Sequence, residues 1–217
     1  MKQYLHILYQ KKTESGTPLW SFTISGNMVE LRTMYTIDSD PENYRQGVID
    51  IGSVLASIRA MCGEAKSRPS IQVFPNMMDS RLVATIRFSR TQPSGHPQPK
   101  RHPLPNGLPA TLSLRQKLMR LAESYELIFT EVNNTHLKPF DLLQKPSCTP
   151  FFLGSKGDNP FVWLLVGGWA EEAISYLDRS SELHPKGSIH PLVPEELRGQ
   201  IKESLQLTFV PQFLICI

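Results

Sequence analysis

The amino-acid sequence predicts an α+β fold, and two observations carry that prediction. Apolar residues at helical spacing alternate along the chain with short segments of strand-like alternation. The two halves also share an order of elements: a glycine-containing apolar helix followed by short strands occurs over 44–88 and, with an inserted helix, again over 162–217. We therefore predict one domain over 1–217, built from two pseudo-repeated halves.

Capping and turn residues delimit the elements of the first half. Gly26-Asn27 tolerates the positive φ that a tight hairpin turn needs. Asp40 is a suitable N-cap and Pro41 suits the first helical position, so a helix begins there. The predicted elements are a helix over 2–12, strands over 21–24, 28–32, 70–74 and 82–88, and a helix over 41–63.

A proline-rich loop over 89–110 separates the halves, because six prolines in this stretch preclude regular structure. Beyond it the same reasoning predicts an irregular segment over 133–150 and a last strand interrupted near Pro211. The other predicted elements are helices over 112–124, 162–177 and 194–207 and strands over 127–132, 150–153, 187–190 and 209–217.

Composition excludes several classes of function. The formal net charge is only +3 and no basic stripe is visible, so we expect no nucleic-acid partner. The longest apolar run, Phe161 to Ala170, is too short to span a bilayer, and residues 1–10 lack signal-peptide features. We therefore expect no membrane partner and a cytoplasmic location.

Metal-ion, hydrolase and nucleotide motifs are also missing. The six histidines and three cysteines show no metal-ligand spacing, so we expect no metal site and reduced, mostly buried thiols. The sequence contains no G-x-S-x-G, G-x-G-x-x-G or Walker motif. The segment 154–157 (GSKG) is only loosely similar to a phosphate loop, and an ordinary surface turn is the favoured interpretation.

Several segments, taken in order along the chain, resemble the Acg-like branch of the nitroreductase-like superfamily. The similar segments are TPLWSF at 17–22 with MVEL at 28–31, DPENYRQGVIDIG at 40–52, KRHPLP at 100–105, the apolar helix at 161–173, and the closing segments at 191–198 and 211–215 (PQFLI). Together they cover nearly the whole chain. The resemblance implies a mixed β-sheet flanked by helices and two half-units.

The resemblance also implies a flavoprotein that binds FMN. Its chemistry would be NAD(P)H-dependent reduction of nitro-aromatic or quinone-like acceptors by hydride transfer through the flavin. By position, Thr17 and Trp20 would lie beside the flavin, and Lys100 and Arg101 would supply charge to its phosphate. The alternatives are that Trp20 is a core aromatic and that the basic pair lies in a solvated loop.

Departures from the family pattern keep a second hypothesis open. Pro18 stands where the family has Gln, and Cys216 stands where it has a final Arg. Losing an amide and a cation would remove hydrogen bonds to FMN. The alternative is therefore a degenerate, catalytically inactive nitroreductase-like domain that sequesters flavin or binds a protein partner. A homodimer is also predicted, because a fold that makes its flavin pocket between two units tends to dimerise and symmetric dimers are the commonest oligomers. The alternative is that the two pseudo-repeats of one chain supply both halves.

Overall fold

The structure of the chain is a computed structural model, and it describes residues 2–13, 18–64, 69–76, 78–88, 113–140, 148–180, 187–192 and 194–217. Two compact units make up the chain. The first comprises Met1–Gln98 with Trp163–Gly168, and the second comprises Pro99–Val162 with Trp169–Ile217. The predicted loop over 89–110 lies outside the described residues.

The first unit contains one antiparallel sheet in the order β1-β2-β4-β3. Its elements are α1 (Lys2–Thr13), β1 (Trp20–Ser25), β2 (Met28–Thr33), α2 (Pro41–Glu64), β3 (Ser70–Val73) and β4 (Leu82–Arg87). Gly26 makes the β1–β2 hairpin turn with a φ of 60°. Helix α2 packs on the sheet, and its apolar stripe is buried: Val48, Ile51, Leu55 and Ile58.

The second unit contains a sheet with the equivalent order, β5-β6-β8-β7. Its elements are α3 (Leu114–Ser124), β5 (Ile128–Glu131), α4 (Asn134–Leu137), a 3₁₀ turn (Lys138–Phe140), β6 (Pro150–Ser155), α5 (Pro160–Ser180), β7 (Ser188–Pro191), α6 (Glu195–Ser204) and β8 (Val210–Cys216). Residues 163–168 of α5 belong to the first unit. A buried cluster forms a core here: Leu137, Phe152, Leu192, Ile201, Phe209 and Leu214.

The two units repeat each other in detail. In each, a helix precedes a pair of strands, a long helix follows, and two more strands complete the sheet. The pairing of β2 with β4 skips Val83, and the pairing of β6 with β8 skips Gln212, so each sheet has a bulge at the same place. Phe74 N donates to Val83 O at 2.7 Å, and Leu192 N donates to Gln212 O at 3.0 Å.

The α+β class is confirmed, but the expected mixed sheet is wrong. Every pair of neighbouring described strands is antiparallel. The reason is the strand order. Helix α2 connects β2 to β3, which run in the same direction, but β4 lies between them and runs opposite to both. In the second sheet, β8 likewise lies between β6 and β7 and runs opposite to both.

Two local predictions in the second half are also corrected. The segment over 133–150 is not wholly irregular, because Asn133 caps the short helix α4 by accepting from Thr135 N. Strand β8 continues through Pro211, which lies opposite Gly154 beside the bulge. A bulge accommodates a residue that lacks an N–H donor.

Helix α2 and residues 163–168 meet in the first unit through two glycines. A Cβ on Gly52 would overlap the carbonyl of Leu164, and one on Gly167 would overlap the carbonyl of Ile49. Backbone therefore contacts backbone at this crossing, and no larger residue fits either position without separation of the helices.

No helix in the described part of the chain is both long and apolar enough to cross a membrane. All three cysteines lie in described residues and none forms a disulfide; Cys62 and Cys216 are buried, and Cys148 is half-buried. Burial raises the pKa of the Cys62 thiol.

Candidate functional site

Of the four residues predicted to contact FMN, the structure describes only Trp20. Thr17, Lys100 and Arg101 lie outside the described residues. Trp20 begins β1 and is fully buried, with 0% of its surface exposed. The structure therefore places Trp20 in the core of the first unit.

The environment of Trp20 is an aromatic cluster of the first unit. The ring of Tyr9, from α1, meets the Trp20 ring edge-on at 5.5 Å between centroids, and Phe22 lies at 6.2 Å. The Trp20 Nε1 atom is buried and has no hydrogen-bond partner among the described residues. Such a cluster stabilises the packing of α1 on the sheet through apolar burial and edge-to-face contacts.

A second feature of the first unit is Arg45, which belongs to the DPENYRQGVIDIG motif. Its side chain is 2% exposed and its guanidinium lies 6.0 Å from the ring centroid of Trp163. Tyr44 meets the same ring edge-on and donates through its hydroxyl to Ser80 O at 3.1 Å. Burial raises the pKa of Tyr44. This arrangement holds a cation in the interior against an indole face.

A buried polar cluster in the second unit joins four side chains. The Gln212 amide, 0% exposed, donates to Ser155 Oγ at 2.9 Å and to Asp158 Oδ1 at 3.2 Å. Arg198, 4% exposed, donates to Asp158 Oδ2 at 3.0 Å and to Leu192 O at 3.1 Å. Two buried donors from different elements thus converge on one carboxylate.

Local backbone structure positions two members of this polar cluster, Gln212 and Ser155. The bulge in β8 turns Gln212 inward, whereas the equivalent bulge residue of the first unit is the apolar, fully buried Val83. Ser155 ends β6 and donates to Gly157 O, as Thr33 at the end of β2 donates to Tyr35 O. The cluster ties Asp158, in the short loop before α5, to β8 and α6.

Sequence reasoning gave this cluster no role. Gln212 entered only as a letter of the PQFLI segment, and Arg198 only as the end of the segment over 191–198. A signal existed in the strand, because a glutamine between apolar neighbours in a buried run requires polar partners. Nothing local indicated that Asp158 and Arg198 would meet across 40 positions of sequence.

Neither the aromatic cluster around Trp20 nor the polar cluster around Asp158 fits FMN. A flavin ring needs an accessible aromatic or apolar face, and Trp20 is already covered by protein. A phosphate needs cationic or amide donors, but Arg198 and Gln212 already donate to Asp158. Nor do three His, Cys, Asp or Glu side chains gather around a possible metal position in the described ranges.

Comparison with known proteins leaves the family open: no protein-family model matches this chain, and no curated protein matches it.

Proposed function

We propose that this chain is a nitroreductase-like protein that binds FMN and acts as an oxidoreductase. The observation that supports the proposal is the repetition of one unit, with the same strand order and the same bulge. The motif-based resemblance implied two half-units, and such a repeat is what two half-units of common origin would produce.

The residues proposed to contact FMN are Thr17, Lys100 and Arg101. A dianionic phosphate requires charged or amide donors, and the adjacent Lys100 and Arg101 offer both a point charge and a planar fork of donors. When bound, the flavin would supply hydride transfer from NAD(P)H to a nitro-aromatic or quinone-like acceptor. Trp20 is assigned a structural role, because its ring packs within the core.

A titration of FMN into the purified protein, followed by flavin fluorescence, tests the assignment of the phosphate residues. The double variant Lys100→Ala, Arg101→Ala should bind FMN more weakly by at least ~1.5–3 kcal/mol, the usual contribution of one charged hydrogen bond. Lys202→Ala, which removes one exposed positive charge from α6, is the control and should bind as wild type does. Equal affinities for all three proteins would refute the assignment.

A second candidate function is an inactive nitroreductase-like domain that binds a protein partner. It is favoured by the burial of Trp20 and by the cluster in which Asp158 already occupies Arg198 and Gln212. This candidate predicts a colourless protein that takes up no FMN and oxidises no NADPH with a nitro-aromatic acceptor. Stoichiometric flavin retained through purification would count against it.

A homodimer is proposed as the assembly. Closed two-fold dimers are the commonest oligomeric state of soluble proteins. Light scattering over a range of concentrations should give a mass near twice 24.6 kDa. A constant mass of one chain at the highest concentration reached would contradict the dimer.

A further inference from the structure

The two described sheets have four edge strands, and one of them lacks the features that usually prevent edge-to-edge pairing. An edge strand presents unpaired backbone groups, and proteins protect such edges with short strands, prolines or charged side chains. Strands β3, β5 and β7 have four residues each, and β5 ends at Glu131 and β7 at Pro191. Strand β1 (WSFTIS) has six residues, without a proline or a charge, and pairs with β2 in one continuous register. Strand β1 is therefore the least protected of these edges.

The hydrogen bonds between β1 and β2 determine which backbone groups of β1 face this edge. Leu19 O accepts from Met34 N at 2.9 Å, so these two residues form a hydrogen-bonded pair. Bonded and non-bonded pairs alternate along an antiparallel ladder. The backbone of Thr23 therefore bonds to β2, whereas the N–H and C=O groups of Phe22 and Ile24 point away from it. Within the described ranges, no backbone group bonds to these outward groups.

Most of this edge is accessible to a second strand. Thr23 and Ser25 are exposed, and Phe22 and Ile24 are half-buried. Trp20 is completely buried, so the accessible edge begins after it. The edge available for pairing is therefore residues 21–25.

We propose that β1 pairs with β1 of a second copy of this chain, antiparallel and about a two-fold axis at Thr23. This register places Phe22 opposite Ile24 of the second copy, so the outward N–H and C=O groups of the two residues bond to each other. Thr23 lies opposite Thr23 of the second copy. Pairs of an aromatic with a β-branched residue, and pairs of threonines, are favourable neighbours across two strands.

A second copy fits this edge because the edge is complementary to itself. Two identical antiparallel strands are related by a two-fold axis, which is the symmetry of the commonest dimers. A charged residue at the axis would face its own counterpart, and β1 contains none. Stable interfaces usually involve ~20–30 residues on each side, and this pairing uses a single strand of each copy, so we expect weak, concentration-dependent association. The pairing rests on the homodimer proposed above, to which it assigns a surface, and it is independent of FMN.

Amide hydrogen exchange of the full-length protein, followed by NMR at low and high protein concentration, tests the pairing residue by residue. The N–H groups of Phe22 and Ile24 should exchange about ten-fold more slowly once most chains are dimeric, because exchange then requires dissociation. The N–H of Thr23 is the internal control, since its bond to β2 protects it in the single chain as well. Its exchange should change much less with concentration.

Variants at the axis test the same register by sedimentation equilibrium. Thr23→Lys should weaken dimerisation by about five-fold or more, because two like charges would face each other. Gln72→Lys is the matched control: it adds the same charge at an exposed position of β3, the other edge of this sheet, and should dimerise as wild type does. Thr23→Glu should also dimerise weakly, and a mixture of Thr23→Glu with Thr23→Lys should associate again, because opposite charges then meet at the axis.

The outcomes separate this surface from the homodimer itself. If the protein dimerises while exchange at Phe22 and Ile24 does not depend on concentration, this pairing is overturned and the dimer uses another surface. Equal dimerisation of wild type and Thr23→Lys, or no association in the mixture of variants, overturns the pairing in the same way. The mass of a single chain at every concentration would overturn both the pairing and the homodimer, and would not affect the FMN proposal.

Discussion

Replacing Gly52 by alanine tests the backbone contact between α2 and residues 163–168. The added Cβ would lie more than an ångström inside the 3.4 Å at which ordinary contact with the Leu164 carbonyl begins. Backbone atoms cannot rotate away as a side chain can, so the helices must separate. Overpacking of this kind costs ~1–3 kcal/mol or more, and the better helix propensity of alanine offsets up to ~1 kcal/mol of it.

Gly63→Ala is the matched control, because it makes the same change in the same helix with nothing within 4 Å of the new Cβ. We expect Gly63→Ala to be neutral or to stabilise by up to ~1 kcal/mol, and Gly52→Ala to destabilise by ~1–2 kcal/mol net. Urea unfolding of wild type and both variants measures the difference. If Gly52→Ala is as stable as Gly63→Ala, the close contact at this crossing is refuted.

Two further predictions concern ion pairs. Arg198→Met should destabilise the protein by ~1.5–3 kcal/mol, because it removes a buried charged donor from Asp158. Arg115→Met should cost only ~0–1 kcal/mol, because the ion pair of Arg115 with Glu131 is exposed. Equal losses of unfolding free energy in chemical denaturation would contradict this difference. The hydrogen bond from Arg32 holds the pKa of Asp79 below its ordinary value, so this carboxylate stabilises the fold at neutral pH and the contribution disappears as the pH falls through the folded-state pKa. Stability measured from pH 7 downward should therefore fall less in Asp79→Asn than in wild type below about pH 4, and parallel curves would be inconsistent with the shift.

Residues that act locally allowed the boundaries of several elements to be predicted. Asp40 accepts from Asn43 N at 3.1 Å and α2 begins at Pro41, as a cap followed by proline predicts. The hairpin at Gly26 likewise forms where the turn residues lie. Caps and tight turns depend on three or four consecutive residues, so their positions can be predicted from the sequence.

Features that depend on distant partners were not predictable in this way. The bulge at Gln212 arises from the register of β8 against β6, and the chain segment itself suggested only an interruption at Pro211. The antiparallel character of both sheets depends on β4 and β8 lying between their neighbours, which no local pattern encodes. The burial of Trp20 equally depends on α1, since Tyr9 covers its ring.

The motif-based resemblance implied two half-units, and the structure contains two units with the same strand order; the FMN site that it implied stays a prediction. Its apolar and glycine positions recur as packing positions, since Gly52 and Gly167 both lie at the helix crossing. Its polar positions fall into two groups. Gln212 and Arg198 hold a loop through their hydrogen bonds to Asp158. Lys100 and Arg101 lie outside the described residues. A motif can persist because it builds the fold, so its presence alone does not establish a cofactor.

Equilibrium dialysis of the full-length protein against FMN tests the proposed flavoprotein most directly. We predict saturable uptake with a fixed ratio of FMN to chain, and a visible flavin spectrum that remains after free FMN is removed. No uptake above that of a protein-free control, from a sample whose circular dichroism shows folded α+β structure, would contradict it.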